Sequence, residues 1–181
     1  MSLQLDLLHH HQSKQHEIIH HFKQHWGHLH PERSDEEWGQ LLSANKDELP
    51  LTLVAVDNLS GAFLGTVTLK NNTVPFLQQH LENFIKPEQA WLFYMYVVPH
   101  RRGQGIGSSL LARAAHLAKL KGFNSVSLFT TTCGNIYRKA DWQATGRSRL
   151  PWGARAKVME LVLEPGVVPA PAPETAQQLP A

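Results

Sequence analysis

The spacing of hydrophobic residues changes along the chain, from a helical period near the start to a strand period after residue 50. Residues 3–26 are helix-prone, and apolar side chains there recur at three- and four-residue spacing, namely Ile18, Ile19, Phe22 and Trp26. This spacing forms one stripe and predicts a helix. A second, short helix is predicted to begin at Ser34, because Glu37 follows three positions later and completes a capping-box pattern.

Strand-like segments follow these helices. Residues 51–57 and 62–69 are rich in β-formers and flank a turn-forming Asn-Leu-Ser-Gly sequence, which predicts two adjacent strands. Residues 70–90 show no clear period and are expected to be irregular or partly helical. Residues 91–98, WLFYMYVV, contain no charged residue, which is typical of a central strand buried on both faces.

The second half of the chain continues with a loop and a long helix. Pro99 ends the central strand, and a helix is predicted from about Gln104 to Lys121, with Gly122 as a left-handed C-cap. The remaining segments are predicted as a strand at 125–130, a short helix at 133–140 and a hairpin formed by 142–149 and 154–163. We therefore expect one domain over residues 1–164, followed by a disordered Pro- and Ala-rich tail at 165–181.

The composition narrows the class of protein. The chain has 181 residues, of which 42% are hydrophobic, and a formal net charge of +2, which is too small to indicate nucleic-acid binding. Its single cysteine, Cys133, excludes an intrachain disulfide and favours a reducing compartment. The sequence shows neither a secretory signal nor an apolar run long enough to span a bilayer, so we expect a cytoplasmic protein without a membrane partner.

The segment HRRGQGIGSSLL at residues 100–111 has the strongest chemical signal. Glycines at the start of a helix let an anion approach the unpaired backbone amides of the first turn, where the helix dipole is positive. No Gly-Lys-Ser/Thr follows, so the segment is not a P-loop. Ser108 occupies the last position of the dinucleotide-binding pattern, which excludes that motif as well. Taken alone, the segment also fits a flexible basic surface loop.

In its context, this segment resembles the acetyl-CoA site of the GNAT superfamily of N-acetyltransferases. Arg102, Gly105 and Gly107 fill the family pattern Gln/Arg-x-x-Gly-x-Gly/Ala, after an apolar strand and before an amphipathic helix. Downstream, CGNIYRKADW at 133–142 is similar to the family's Tyr-x-x-x-Gly-Phe ending. The resemblance covers roughly residues 5–163. It implies a single α/β domain with a mixed, mostly antiparallel, splayed sheet and helices on both faces.

The resemblance also implies roles for individual residues. The pyrophosphate of CoA would rest on the loop at Arg102, Gly103, Gln104, Gly105, Ile106, Gly107 and Ser108. The pantetheine arm would pair with Val97 and Val98, whose amides would be free in a splayed sheet, and the Val97 amide would stabilise the oxyanion. Tyr137 would be the general acid, with a buried core aromatic as the alternative. Tyr94 is a candidate for holding a water molecule.

The sequence departs from the family pattern at several positions. The central strand carries no carboxylate, so the general base is not identified, and the Gly-Phe ending is replaced by Asp141-Trp142. In this fold the acceptor is usually recognised by the first two helices and the final hairpin, which here implies the neighbourhood of Trp26, Trp38, residues 70–90 and Trp152.

We therefore expect acetyl transfer from acetyl-CoA to a small primary amine, in a monomer or homodimer. The alternatives are a CoA-binding sensor without catalysis and a peptide or protein acetyltransferase. Two histidine pairs, His16/His20 and His21/His25, stand one helical turn apart, but no acid or cysteine completes a ligand set, so no metal is expected.

Overall fold

The computed structural model describes residues 2–132 and 134–164, and in this part seven strands form one sheet in the order β1-β2-β3-β4-β5-β7-β6. The elements in chain order are β1 (Leu3–Leu7), α1 (Gln15–Trp26), α2 (Asp35–Gly39), β2 (Leu51–Asp57), β3 (Phe63–Asn71), α3 (Pro75–His80), β4 (Gln89–Val97), α4 (Ile106–Leu120), β5 (Ser125–Thr130), α5 (Gly134–Arg138), β6 (Gln143–Arg149) and β7 (Arg155–Val162).

The sheet is mixed and mostly antiparallel, as predicted, because only the β4–β5 pair is parallel. Apolar side chains of β2 to β5 pack against α4 and α5 on one face, which we call the α4 face. On the other face, which we call the α1 face, Ile18 of α1 and Trp38 of α2 pack against β2 and β4, and Leu77 of α3 packs against Trp91 and Phe93. The expected layer of helices on both faces is confirmed.

The N-terminal prediction was partly wrong. Residues 3–26 do not form one helix: Leu3–Leu7 is strand β1, paired antiparallel with β2, and Leu8–Lys14 is 3-10 helix. In β1 the leucines alternate with polar residues, a period of two that lets them pack against the α4-face core beside β2. Only α1 follows the predicted stripe, with Ile18, Ile19 and Phe22 buried.

Helix boundaries follow local chemistry. The capping box before α2 is confirmed, because Ser34 Oγ accepts from the Glu37 amide at 3.3 Å and Glu37 Oε2 accepts from the Ser34 amide at 2.7 Å. Helix α4 begins at Ile106 rather than Gln104, because Gly105 takes a left-handed φ of +83°. Gly122, with φ of +84°, lies just after that helix as predicted. The predicted tail at 165–181 lies outside the described residues.

Strands β4 and β5 separate along their length. They pair only at Gln89–Ser125, Ala90–Val126 and Trp91–Ser127. Beyond these positions β4 continues beside β3 as far as Val97, and β5 continues beside β7 as far as Thr130. The sheet is therefore splayed, as expected, and we call the gap between residues 92–97 and 128–130 the cleft.

Candidate active site

The glycine loop leads directly into the first turn of α4. Gly103 and Gly105 both have positive φ, and a Cβ added at either would meet no atom within 4 Å, so the surface beside them is open. The first hydrogen bond within this helix is donated by the Ser109 amide to the Gly105 carbonyl at 3.0 Å. The amides of Ile106, Gly107 and Ser108 precede that bond and have no acceptor within the helix, which favours an anion there.

Two arginines add positive charge to this loop. Arg101 has a buried Nε that makes no hydrogen bond within the described part of the chain. The Arg102 side chain is exposed, and its Nε donates to the Val97 carbonyl at 2.9 Å. The guanidinium of Arg102 also lies 5.8 Å from the ring centroid of Tyr96. The loop thus combines free helix amides, open glycines and an arginine at the end of β4.

Gly107 has a different role from the other loop glycines. It is buried, and a Cβ there would lie 2.9 Å from Ile136 Cδ1 and 3.2 Å from Met95 Cε. Its missing side chain lets the first turn of α4 approach both β4 and α5 closely. This contact fixes the position of the loop relative to the cleft.

The two valines at the end of β4 differ in the availability of their backbone groups. The Val98 amide donates to the Leu64 carbonyl at 3.0 Å, and the Val98 carbonyl accepts from the Arg101 amide. The expectation of a free amide at Val98 is therefore wrong. Because successive residues of a strand direct their backbone groups to opposite sides, Val97 directs its own toward the cleft. Val97 keeps its predicted position, and its role stays a prediction.

Tyr137 lies in the core of the α4 face. It is 7% exposed, belongs to α5 and packs with Ile106 and Leu128. Its ring centroid lies 6.1 Å from that of Trp142, whose amide donates to the Tyr137 carbonyl at 3.0 Å. Trp142 thus packs beneath Tyr137, while the neighbouring Ile136 reaches Gly107 at the loop.

Tyr94 lies on the opposite face, at a β-bulge. Its φ is +54°, and the β3–β4 register shifts beside it, between Thr66 and Thr68. Its ring packs against Phe22 and Trp26 of α1. Burial raises the pKa of the Tyr94 phenol, and the charge of Arg33 opposes that rise. Tyr94 and Tyr137 therefore lie on opposite faces of the sheet, and their roles stay predictions.

The structure adds residues on the α1 face that the sequence did not single out. Lys70 Nζ lies 5.2 Å from the ring centroids of both Phe93 and Tyr94. Arg33 lies 4.6 Å from the ring centroid of the buried Trp38. The only sequence signal for Lys70 is its place at the end of an apolar strand, where a lysine is uncommon.

An arc of aromatic rings borders this face. Neighbouring rings in the arc lie 5.4–6.0 Å apart between centroids, in the order His30, Trp152, Phe76, Phe129 and Phe93. These rings belong to the segment before α2, the β6–β7 turn, α3, β5 and β4. The arc joins the regions from which acceptor recognition was expected.

The histidines of α1 contact the same end of β4. His21 Nδ1 lies 3.2 Å from the Tyr96 hydroxyl, and the His25 ring centroid lies 5.5 Å from that of Tyr96. Burial lowers the pKa of both histidines, and for His25 the charge of Arg102 lowers it further. Across residues 2–132 and 134–164, no three histidine, cysteine or acidic side chains come together as a metal-binding group would require. No helix in these ranges is long and apolar enough to cross a membrane.

Comparisons with known proteins agree with this geometry. The model of the acetyltransferase (GNAT) family matches residues 14–144. The comparison with curated proteins gave no significant match.

Three solved structures illustrate the likeness of fold. A GCN5-related N-acetyltransferase from Kribbella flavida is 20% identical and has a TM-score of 0.70, with 90% of this chain and 98% of that chain covered. An aminoglycoside 6'-acetyltransferase type Ii is 15% identical, with a TM-score of 0.65 and coverage of 90% and 97%. NAA60 of Arabidopsis thaliana, in complex with acetyl-CoA, is 14% identical, with a TM-score of 0.62 and coverage of 90% and 99%.

Proposed function

This chain belongs to the GNAT family of acetyltransferases, and from that premise we propose that it transfers an acetyl group from acetyl-CoA to the primary amine of a small molecule. The observation that carries the proposal is the coincidence of an anion-accepting helix start with a cleft between two strands of one sheet. A cytoplasmic location and a monomeric or homodimeric state stay predictions.

The residues present fit acetyl-CoA. The amides of Ile106, Gly107 and Ser108, the open surface at Gly103 and Gly105, and the charge of Arg102 suit its pyrophosphate. The Val97 amide faces the cleft and suits an extended arm that lies along this end of β4, while the Val97 carbonyl accepts from Arg102. Acetyl-CoA supplies the activated acetyl group as a thioester.

Two tyrosines take separate parts in moving protons. We assign the Tyr137 hydroxyl as the proton donor, because Tyr137 lies on the loop's face of the sheet and follows the loop at the family's spacing. Because burial raises the pKa of Tyr94, its phenol keeps its proton at neutral pH and suits holding a water molecule rather than acting as a base. The Val97 amide is the donor assigned to the developing negative charge.

The α1 face is the side from which the amine would arrive. The loop and α4 occupy the other face, so a molecule held by the loop and extended through the cleft presents its far end toward Tyr94. The aromatic arc borders this region and includes Trp152 on the β6–β7 turn. An aromatic border that includes Phe76 of α3 and Trp152 of the β6–β7 turn favours a small acceptor over a peptide chain.

A thermal unfolding experiment tests the cofactor assignment. A ligand present at about 100 times its Kd stabilises a protein by roughly 2.7 kcal/mol, and each kcal/mol raises the midpoint by about 2–4 °C in a domain of this size. We expect a shift with acetyl-CoA and none with ATP or NAD.

Gly105→Asp should abolish that shift, because it places a carboxylate against the pyrophosphate site. Gly61→Asp is the matched control: Gly61 also has positive φ and open space around it, but it lies in the β2–β3 turn. Loss of folding stability alone would affect both variants. If the folded Gly105→Asp variant keeps the acetyl-CoA shift, the loop assignment is wrong.

A panel of amines then tests the reaction. Release of free CoA is measured with amino acids, polyamines, aminoglycosides and N-terminal peptides. Turnover with a small amine supports the proposal, and turnover restricted to peptides supports a peptide acetyltransferase. Binding of acetyl-CoA without turnover on any amine would favour a CoA-binding sensor.

A further inference from the structure

Lys70 is a half-buried lysine on the α1 face without a carboxylate partner. It stands opposite Trp91 in the β3–β4 register, and its Nζ lies 5.2 Å from the ring centroids of Phe93 and Tyr94. Within residues 2–132 and 134–164 it forms no ion pair or hydrogen bond. Burial lowers the pKa of Lys70. A positive charge is thus left uncompensated beside Tyr94.

Three acids of the surrounding elements lie near other partners. Glu37 accepts from the Ser34 amide in the capping box of α2. Glu160 of β7 accepts from Lys86 and Gln89. Glu32 lies 3.9 Å from His30. None of these acids is within ion-pair distance of Lys70.

A second cation lies near the same tyrosine. The charge of Arg33 opposes the rise of the Tyr94 pKa that burial causes, and the Arg33 guanidinium stacks on Trp38. Glu37 offsets part of the Arg33 charge. The hydrogen bonds with Ser34 lower the pKa of Glu37 most, and the charge of Arg33 lowers it further. Arg33 therefore adds positive potential to the α1 face, while Lys70 supplies the unpaired charge.

A cation in this setting is available to an anion from outside the chain. Aromatic faces favour the charged form of a lysine, so the ammonium is kept rather than neutralised. Half-burial without a partner makes that charge costly until an anion pairs with it. The phosphates of CoA are assigned to the loop on the opposite face, which leaves the acceptor as the ligand of this face.

We infer that the acceptor amine also carries a carboxylate, and that Lys70 binds this carboxylate and so determines acceptor specificity. This inference rests on the proposed function. An amino acid is the simplest compound of the class. Aminoglycosides and polyamines carry several positive charges, which Lys70 and Arg33 would repel.

Matched acceptor pairs test the inference directly. Each L-amino acid is compared with its primary amide, which keeps the amine and the side chain but lacks the carboxylate. We expect the best amino acid to exceed its amide in kcat/KM by about tenfold or more, as the loss of a charge-assisted hydrogen bond predicts. The preference should decline as the pH rises through the lowered pKa of Lys70, because the ammonium is lost.

Variants at Lys70 separate recognition from folding. Lys70→Met keeps a similar volume and removes the charge, so the preference for the acid over the amide should fall to about one. Its thermal midpoint should not drop, and its acetyl-CoA shift should remain. Lys70→Arg should keep part of the preference. Lys119→Met, at an exposed lysine of α4, is the control and should leave the preference unchanged.

The outcomes distinguish this inference from the proposed function. Equal kcat/KM for acids and amides, or an unchanged preference in Lys70→Met, overturns the inference while turnover itself still supports acetyl transfer. If no amine is turned over, calorimetric titration of the same acids and amides against the acetyl-CoA-loaded protein still decides it. Binding of acids that is lost in Lys70→Met supports the carboxylate subsite, and equal or absent binding of acids and amides overturns it.

Discussion

Single residues with similar chemistry acquire different roles from their surroundings. Tyr137 and Tyr94 were both singled out from the sequence, yet they lie in the cores of opposite faces of the sheet. Tyr137 belongs to the same cluster as Ile106 at the start of α4. Tyr94 contacts α1 and lies at a bulge beside Lys70. In the proposed reaction, this placement puts Tyr137 on the cofactor side and Tyr94 on the acceptor side.

Removal of the Tyr137 hydroxyl tests its assigned role. Tyr137→Phe keeps the buried ring against Trp142, so the fold and the acetyl-CoA shift should be retained. If the hydroxyl donates a proton, kcat should fall by roughly 100-fold or more, as measured by CoA release at saturating substrates.

Tyr96→Phe is the control for that experiment, because it removes a hydroxyl that contacts His21. It should change kcat little. An unchanged kcat in Tyr137→Phe would reject the general-acid role and favour a purely structural aromatic residue.

The sequence was informative where a residue's role depends on its chain neighbours. Gly105 and Gly122 were assigned from local pattern, and both adopt the positive φ that such positions require. Lys70 was missed, because the absence of a partner depends on where β7, α2 and the segment before α2 place their acids. The bulge at Tyr94 was missed for a related reason: it depends on the register between two strands, which no local pattern specifies.

At the scale of elements, the segment Leu3–Leu7 was predicted as helix but forms strand β1. The alternation of Leu3, Leu5 and Leu7 predicts a strand on its own, but the histidine-rich segment after it extended the helical interpretation back to residue 3. Five residues are a weak local signal, and β1 is stabilised by pairing with the edge of β2. The long, strongly patterned elements β4 and α4 were predicted almost to their ends.

The packing of α1 against β4 should depend on pH. Burial lowers the pKa of His21 and His25 in the folded protein, so the unfolded chain binds protons first as the pH falls below about 6.5. The contribution of these histidines to the free energy of unfolding is therefore fully present above the pKa that they have in the unfolded chain. It is lost as the pH falls from that value to their lower pKa in the folded protein. We expect a lower thermal midpoint at pH 5.5 than at pH 7.5.

Two variants test whether this pH dependence of the thermal midpoint arises in α1. In the double variant His21→Gln with His25→Gln, the thermal midpoint should differ less between pH 5.5 and pH 7.5 than it does in the wild type. His116→Gln, at an exposed histidine of α4, serves as the control and should keep the wild-type difference. The same difference in all three proteins would place the acid sensitivity outside α1.

At the scale of the whole molecule, the site depends on a sheet that is closed at one end and open at the other. The closed end is held by three parallel pairs between β4 and β5 and by the side chain of Gln89, which is 1% exposed. Gln89 Nε2 donates to Ser127 Oγ of β5 at 2.8 Å and to Glu160 of β7 at 3.5 Å. Its Oε1 accepts from Trp91 Nε1 at 2.9 Å. One side chain thus connects three strands at the point where the cleft begins.

Gln89→Ala should therefore cost much more stability than its volume alone suggests. It leaves the buried Trp91 indole N–H and Ser127 hydroxyl without these partners, and each orphaned group costs about 1–3 kcal/mol. A loss of about 3 kcal/mol corresponds to a midpoint lowered by roughly 6–12 °C. Lys23→Ala is the comparison: it removes an ion pair with Asp35 in which both side chains are exposed, and it should cost about 1 kcal/mol or less. Similar midpoints for the two variants would mean that Gln89 does not hold the closed end.

If Gln89→Ala instead lowers the midpoint while acetyl-CoA still raises it, the closed end maintains the sheet and the loop binds the cofactor independently of it.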